Sequence, residues 1–290
     1  MRLITFRADG HARVGVMRDD DELVEIDDAS DMLGLIESGA EGIAAARSAL
    51  SSSHAKAHRL AAVDLLSPIP MPRGNVIAIG RNYQKHAAET AVVEGREPSP
   101  PTVFTKVITS LTEPFADIAI DPAVSDKIDW EVELAVVIGN KGANIKRSDA
   151  RSHVFGYSVF NDVTARDIQS DWGGQYFKGK SLDRSSPMGP WIVTADEIPD
   201  PQSLGLRLHV NGVQKQDGTT RDMIYSVDAV IEWVSIGLTL LPGTIIATGT
   251  PDGVGFARTP PEFLKVGDLM ETEVEKVGKM RNRIVSAGRD

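Results

Sequence analysis

The stretch "DWEVELAVVIG", residues 129–139, decides the fold class. Side chains of an extended chain alternate between two faces, so Trp130, Val132, Leu134 and Val136 share one side while Glu131, Glu133, Ala135 and Val137 share the other. The second face turns apolar at Ala135 and Val137, as in a strand buried on both sides. Two carboxylates then enter an interior one pleat repeat apart. A strand with its polar face in solvent would carry the same pair. Burying two like charges, however, is unfavourable unless a cation neutralises them.

Outward from this strand the chain keeps the same character. "VIAIG", "TVFTK", "VFGYSVFNDV", "PWIVTA", "LRLHVNG" and "GTIIATGT" are β-branched runs bounded by Gly, Pro, Asn or Asp. One helix is predicted at "SVDAVIEWVSIGLTL", residues 226–240. Upstream, "RLITFRA", "ARVGVMR" and "ELVEI" read as short strands, and residues 30–62 as Ala/Leu-rich helix interrupted at Ser51–Ser53. The prolines of "LLSPIPMPRG" punctuate the chain and place a boundary near residues 67–74. The expectation is an α+β, mainly β protein, with a small N-terminal α+β domain over residues 1–70 and a larger domain over 71–290. Residues 90–101, "TAVVEGREPSPP", read as a mobile loop.

Bulk properties narrow the function. The chain has 290 residues, 41% of them hydrophobic, enough for a substantial core, and a formal charge of −10. That field repels polyanions, so neither nucleic acid nor an acidic membrane surface is an expected partner. The absence of cysteine excludes disulfides, thiolate metal sites and a Cys nucleophile, and is compatible with a reducing cytoplasm. The N-terminus lacks a signal-peptide core, and no apolar run approaches the ~18 residues of a membrane span. "GQYFKGKS", residues 174–181, fits the phosphate-loop pattern G-x-x-x-x-G-K-[ST]. Such a loop needs a buried strand before it and a helix after it. "ARDIQSDWGG" is too polar for that strand, and Pro187, Gly189 and Pro190 oppose the helix, so no nucleotide is expected.

A third carboxylate, Asp162, follows the aromatic and β-branched run of "GYSVFNDVTARD". Three oxygen donors without Cys or a His cluster suit a hard cation such as Mg²⁺ or Mn²⁺. "GRNYQKHAAET" sets His86 and Glu89 three apart, on one face of a helix; on spacing alone this is a solvated turn.

"DWEVELAVVIG", "FNDVTARDIQ", "KGKSLD", "MGPWIV" and "IATGTPDGVG", in that order, resemble the fumarylacetoacetate hydrolase superfamily, from about residue 72 to the C-terminus. The upstream metal ligand of its larger eukaryotic members has no match, so the chain resembles the smaller bacterial type. The resemblance implies a distorted β-roll or β-sandwich, a homodimer, and a divalent metal on Glu131, Glu133 and Asp162. It also implies that Arg81, Lys106, Arg166, Gln169 and Thr250 bind substrate, and that Lys180 stabilises an enolate. His86 and Glu89 become an acid–base dyad on a closing segment, a role in which a carboxylate orients the imidazole. The implied reaction is hydrolysis of the C3–C4 bond of a 2,4-dioxo acid to pyruvate and a second acid. Alternatives at the same site are decarboxylation of a 2-oxo dicarboxylic acid such as oxaloacetate, tautomerisation of a 2-hydroxy-diene acid, and a ligand-binding protein without turnover. Substrate choice is expected to rest with the closing segment and with residues around Gln214 and Gln216.

Overall fold

A computed structural model describes residues 1–27, 29–94 and 102–288. Its strands are β1 (Arg2–Ala8), β2 (His11–Met17), β3 (Glu22–Glu25), β4 (Ala57–Arg59), β5 (Val76–Gly80), β6 (Thr102–Lys106), β7 (Ile118–Ile120), β8 (Val132–Ile138), β9 (Val154–Asn161), β10 (Ser186–Thr194), β11 (Gly205–Val210), β12 (Val213–Thr219), β13 (Ile245–Ala247), β14 (Leu269–Val274) and β15 (Gly278–Ser286), besides two-residue pieces. Helices are α1 (Met32–Glu37), α2 (Ala40–Ser51), α3 (Gln84–Glu94), α4 (Arg166–Asp171), α5 (Tyr176–Gly179) and α6 (Val227–Val234).

The large sheet runs β4-β3-β2-β1-β10-β9-β8-β13-β5-β6, and a smaller one runs β12-β11-β14-β15-β7. Strand β8 lies at the heart of the first, antiparallel to β9 from Val132↔Asn161 and to β13 at Ala135↔Ala247. All seven of its residues are buried. Val132, Leu134 and Val136 meet Leu206, Leu208, Met270 and Met280 of the smaller sheet together with Val230 and Ile231 of α6. Ala135 and Val137 meet the opposite core, formed with Leu35 and Ile36 of α1 and Ala46 of α2. The alternation read from the sequence therefore sorts β8 between two cores, in a mainly β protein as expected.

The first strands join the same sheet, since β1 pairs with β10 at Arg2↔Val193 and Leu3↔Ile192. Several local expectations need correction. Helix α6 ends at Val234, not at residue 240: Ser235 caps it, and Gly237 takes a positive φ of 66° that right-handed helix does not allow. Residues 57–59, expected as helix, form β4 against β3. Strands β14 and β15 escaped the sequence reading because charged residues that are half-buried, such as Glu271 and Glu273, or exposed, such as Lys279 and Arg281, dilute the apolar signal of the buried face. The loop expected over residues 90–101 begins as the end of α3, and residues 95–101 lie outside the described residues. No described helix is long and apolar enough to cross a membrane.

Leu134 is fully buried between the sheets. Its truncation in Leu134→Ala is expected to destabilise the protein by about 2–5 kcal/mol in denaturant unfolding, the usual range for a core cavity.

Candidate functional site

The site assembles where β8 begins and β9 ends. The Asp162 N–H donates to the Glu131 carbonyl at 2.9 Å, and the Glu131 N–H to Asn161 Oδ1 at 3.0 Å, so the ends of the two strands are tied at that point. Glu131, Glu133 and Asp162 consequently converge, each offering an oxygen within 4.8 Å of the others, and all three are buried.

Cations surround them unevenly. Lys180 Nζ donates to Glu131 Oε2 at 2.8 Å and to Asp162 Oδ2 at 2.7 Å. Arg166 Nη2 lies 2.6 Å from Glu131 Oε1. Burial opposes the charge on Glu131, but Lys180 and Arg166 outweigh it and hold the carboxyl down to about 2. Among the described residues Glu133 accepts one hydrogen bond, from the Gly249 N–H at 2.9 Å, and burial together with the charges of Asp162 and Glu131 pushes its carboxyl well above the usual range. Lys180 is also desolvated, yet Asp162 and Glu131 raise it. Three buried oxygen donors without sulfur or imidazole, one of them short of positive charge, fit a hard divalent cation.

A cavity of about 40 Å³ opens beside this cluster, and Arg81, His86, Glu131, Glu133, Arg166, Gln169, Lys180 and Thr250 line it. A wider outer cavity of about 630 Å³ shares Arg81, Phe104, Gln169, Tyr176 and Phe256 with it. His86 is buried on α3, its Nδ1 at 2.9 Å from Glu89 Oε1. The Glu89 carboxylate in turn accepts the Gly253 N–H, at 3.1 and 3.2 Å to its two oxygens. Arg81 adopts a left-handed backbone at φ 59°, uncommon for a residue with a side chain. Asn82 pins that turn, donating to the carbonyls of Tyr225 and Thr248 at 3.0 and 2.8 Å and accepting the Tyr225 N–H at 2.8 Å.

Of the candidate site residues, Arg81, His86, Glu131, Glu133, Arg166, Gln169, Lys180 and Thr250 line this cavity and Asp162 completes the cluster; Glu89 acts through His86, and Lys106 touches the cluster without lining the cavity. Lys106 has no exposed surface and sits behind Asp162. It was expected to touch substrate, but strand β6 directs it into the interior. Gln216 and Gln214 also differ from expectation. Gln216 is buried, accepts the Val132 N–H at 3.0 Å and donates to Thr250 Oγ1 at 2.8 Å, so it holds Thr250; Gln214 is exposed.

The sequence reading missed Asp129. This fully buried carboxylate accepts the N–H groups of Trp130, Gly255 and Phe256 and Arg166 Nε, at 2.7–3.0 Å, which joins Arg166 to the loop carrying Thr250 and Gly253. The signal was present two residues before Glu131. Phe256 was missed as well; its ring lies 4.3 Å from the Arg166 guanidinium carbon. The stretch 174–181 runs from two turn glycines into the short α5 and follows helix α4, not a strand.

Residues 75–285 match the fumarylacetoacetate (FAA) hydrolase C-terminal family. The chain is 44% identical over 227 residues to oxaloacetate tautomerase YisK of Bacillus subtilis, spanning 78% of this chain and 75% of that protein. It is 40% identical over 295 residues to the mitochondrial oxaloacetate tautomerase fahd2 of Xenopus laevis, spanning 98% and 90%. Its fold matches maleylpyruvate hydrolase from Sphingobium sp. SYK-6, solved with manganese(II) and pyruvate, at TM-score 0.81 and 30% identity, over 99% of this chain and 100% of that one.

If the buried carboxylates hold a cation, Mg²⁺ or Mn²⁺ should raise the melting temperature with concentration, by about 2.7 kcal/mol of stability at a hundredfold excess over Kd. Glu133→Ala should abolish most of that shift in a thermal melt; an equal shift in the variant would count against the cage.

Proposed function

Because the chain belongs to the fumarylacetoacetate hydrolase family, we propose that it interconverts the keto and enol forms of a compact 2-oxo dicarboxylic acid of the oxaloacetate type. The observation that carries this reading is the His86–Glu89 pair facing a three-carboxylate cage across the inner cavity. A proton-transfer group and a charge-stabilising cluster meet there. The two oxaloacetate tautomerases at 40–44% identity support it.

Glu131, Glu133 and Asp162 would hold the divalent cation, which supplies Lewis-acid polarisation of the 2-oxo group when bound. The remaining work falls to side chains of this chain. His86 has its Nδ1 engaged with Glu89, leaving Nε2 to take a proton from C3 of the substrate. Glu89, fixed by the Gly253 N–H, sets the ring's tautomer and stabilises the imidazolium that forms. As the C3–H bond breaks, its electron pair becomes the C2–C3 double bond and charge moves to the 2-oxo oxygen. Lys180 supplies positive charge against that oxygen. Returning the proton to oxygen gives the enol; returning it to carbon restores the ketone. Arg81, Arg166, Gln169 and Thr250 bind and orient the carboxylates.

Hydrolysis of a 2,4-dioxo acid, the first expectation from the sequence, is the second reading. The 630 Å³ outer cavity favours it, since it continues from the inner one and has room for a longer acyl group. It lacks the support that the closer relatives give to tautomerisation.

The two readings, and decarboxylation with them, separate by products. With oxaloacetate, enol absorbance should relax faster in the presence of the protein, while a coupled lactate dehydrogenase assay detects little pyruvate. Pyruvate release matching the relaxation rate would establish decarboxylation instead, and rapid cleavage of acylpyruvates would favour the hydrolase. His86→Ala should lower the relaxation rate by about 10²-fold or more, the size usual for a general base, with Mn²⁺ affinity unchanged. Lys180→Met should lower it by about 10²–10³-fold, as for one preorganised charge-stabilising donor.

A further inference from the structure

Two lysines touch Asp162, and they differ in what else they can reach. Lys180 lines the cavity. Lys106 does not; it is wholly enclosed, and its Nζ donates only to Asp162 Oδ1, at 2.5 Å, and to the Val163 carbonyl, at 3.1 Å. Asp162, equally enclosed, directs its other oxygen, Oδ2, toward Lys180. Both carboxylate oxygens therefore carry a buried ammonium, but of the two lysines it is Lys180 that borders the cavity.

We propose that Lys106 is a positioning residue that makes Asp162 a one-oxygen donor and sets the charge of the cage, and thereby its preference for a divalent over a trivalent cation. The inference rests on the reading that Glu131, Glu133 and Asp162 hold a cation. A short charge-assisted hydrogen bond occupies Oδ1 and opposes two-oxygen coordination by Asp162. Lys106, Lys180 and Arg166 all lie against the three carboxylates, so loss of Lys106 would leave the cage one unit more negative, a change that favours a trication over a dication. In a site shielded from water, that single unit of charge is weakly screened. Lys180 is not equivalent, because it stands where substrate enters and is free to answer to substrate charge. Groups that hydrogen-bond a ligand from behind, and so fix its orientation and charge, are a general means of tuning a metal site.

The test is a competition titration of Tb³⁺ against Mn²⁺ at constant pH, which reads binding without turnover. Lys106→Met should raise the ratio of Tb³⁺ to Mn²⁺ affinity by about tenfold or more, because the cage gains a full negative charge. Asp162→Asn should lower the ratio. The double variant Lys106→Met/Asp162→Asn, which loses one charge of each sign, should return it to near the wild-type value even though both ions bind more weakly. Should Lys106→Met not fold, the double variant compared with Asp162→Asn must show the same rise of about tenfold. A ratio that ignores Lys106 in both backgrounds overturns the inference while leaving the cage intact. Failure of the wild-type protein to bind Mn²⁺ at all would instead sink the cage, and the inference with it.

Discussion

Three carboxylates within 4.8 Å of one another, all buried, form the constraint on which the rest of this structure depends. Such a cluster is unfavourable in a low dielectric, and the protein offsets it with Lys106, Lys180 and Arg166 rather than by exposing it. The compensation is incomplete at Glu133, which has a backbone donor but no cation of its own. A site whose compensation fails at one fixed place is poised for an added cation. It is also poised for the anion that such a cation, together with Lys180, would draw in.

The second organising element is Asp129. Its four hydrogen bonds tie Arg166 to the 250–256 segment, and that segment provides both Thr250 in the cavity and the Gly253 N–H that holds Glu89. Helix α3, the guanidinium and the Thr250 part of the cavity lining thus share one anchor. Glycine is needed at position 255 because a Cβ there would lie 2.1 Å from the Glu262 carbonyl and 2.6 Å from Asp129 Oδ1. Arg81 shows the same economy at the opposite rim, where a left-handed turn is held by the buried amide of Asn82.

These parts need a rigid frame, and β8 provides it by being interior on both faces. Its even-numbered residues serve the core between the sheets and its odd-numbered ones the core beneath α1 and α2. Glu131 and Glu133 extend the odd-numbered face past the point where hydrophobic packing ends. The two glutamates are therefore carried by a strand that is buried throughout.

Much of this was legible in the sequence because it depends on short-range periodicity. The alternation in residues 129–139 separated the apolar face from the carboxylates, the β-branched runs marked most of the strands, and the i, i+3 spacing placed His86 and Glu89 on one side of α3. Amphipathic β14 and β15 were not legible, because solvent-facing charges mask their alternation. Nor were the contrasting roles of the lysines. Lys106 and Lys180 are the same residue type, both near Asp162, and what separates them is the direction in which β6 and the turn after α5 aim each side chain. Asp129 was overlooked, and Gln216 was given a substrate-selecting role rather than one in holding Thr250, for a related reason: each acts through partners 30 or more residues away in sequence, at Arg166, Gly255, Val132 and Thr250. Periodicity sets which way a residue faces along its own element. Which distant groups it then meets is set by how the elements cross, and only the tertiary structure decides that.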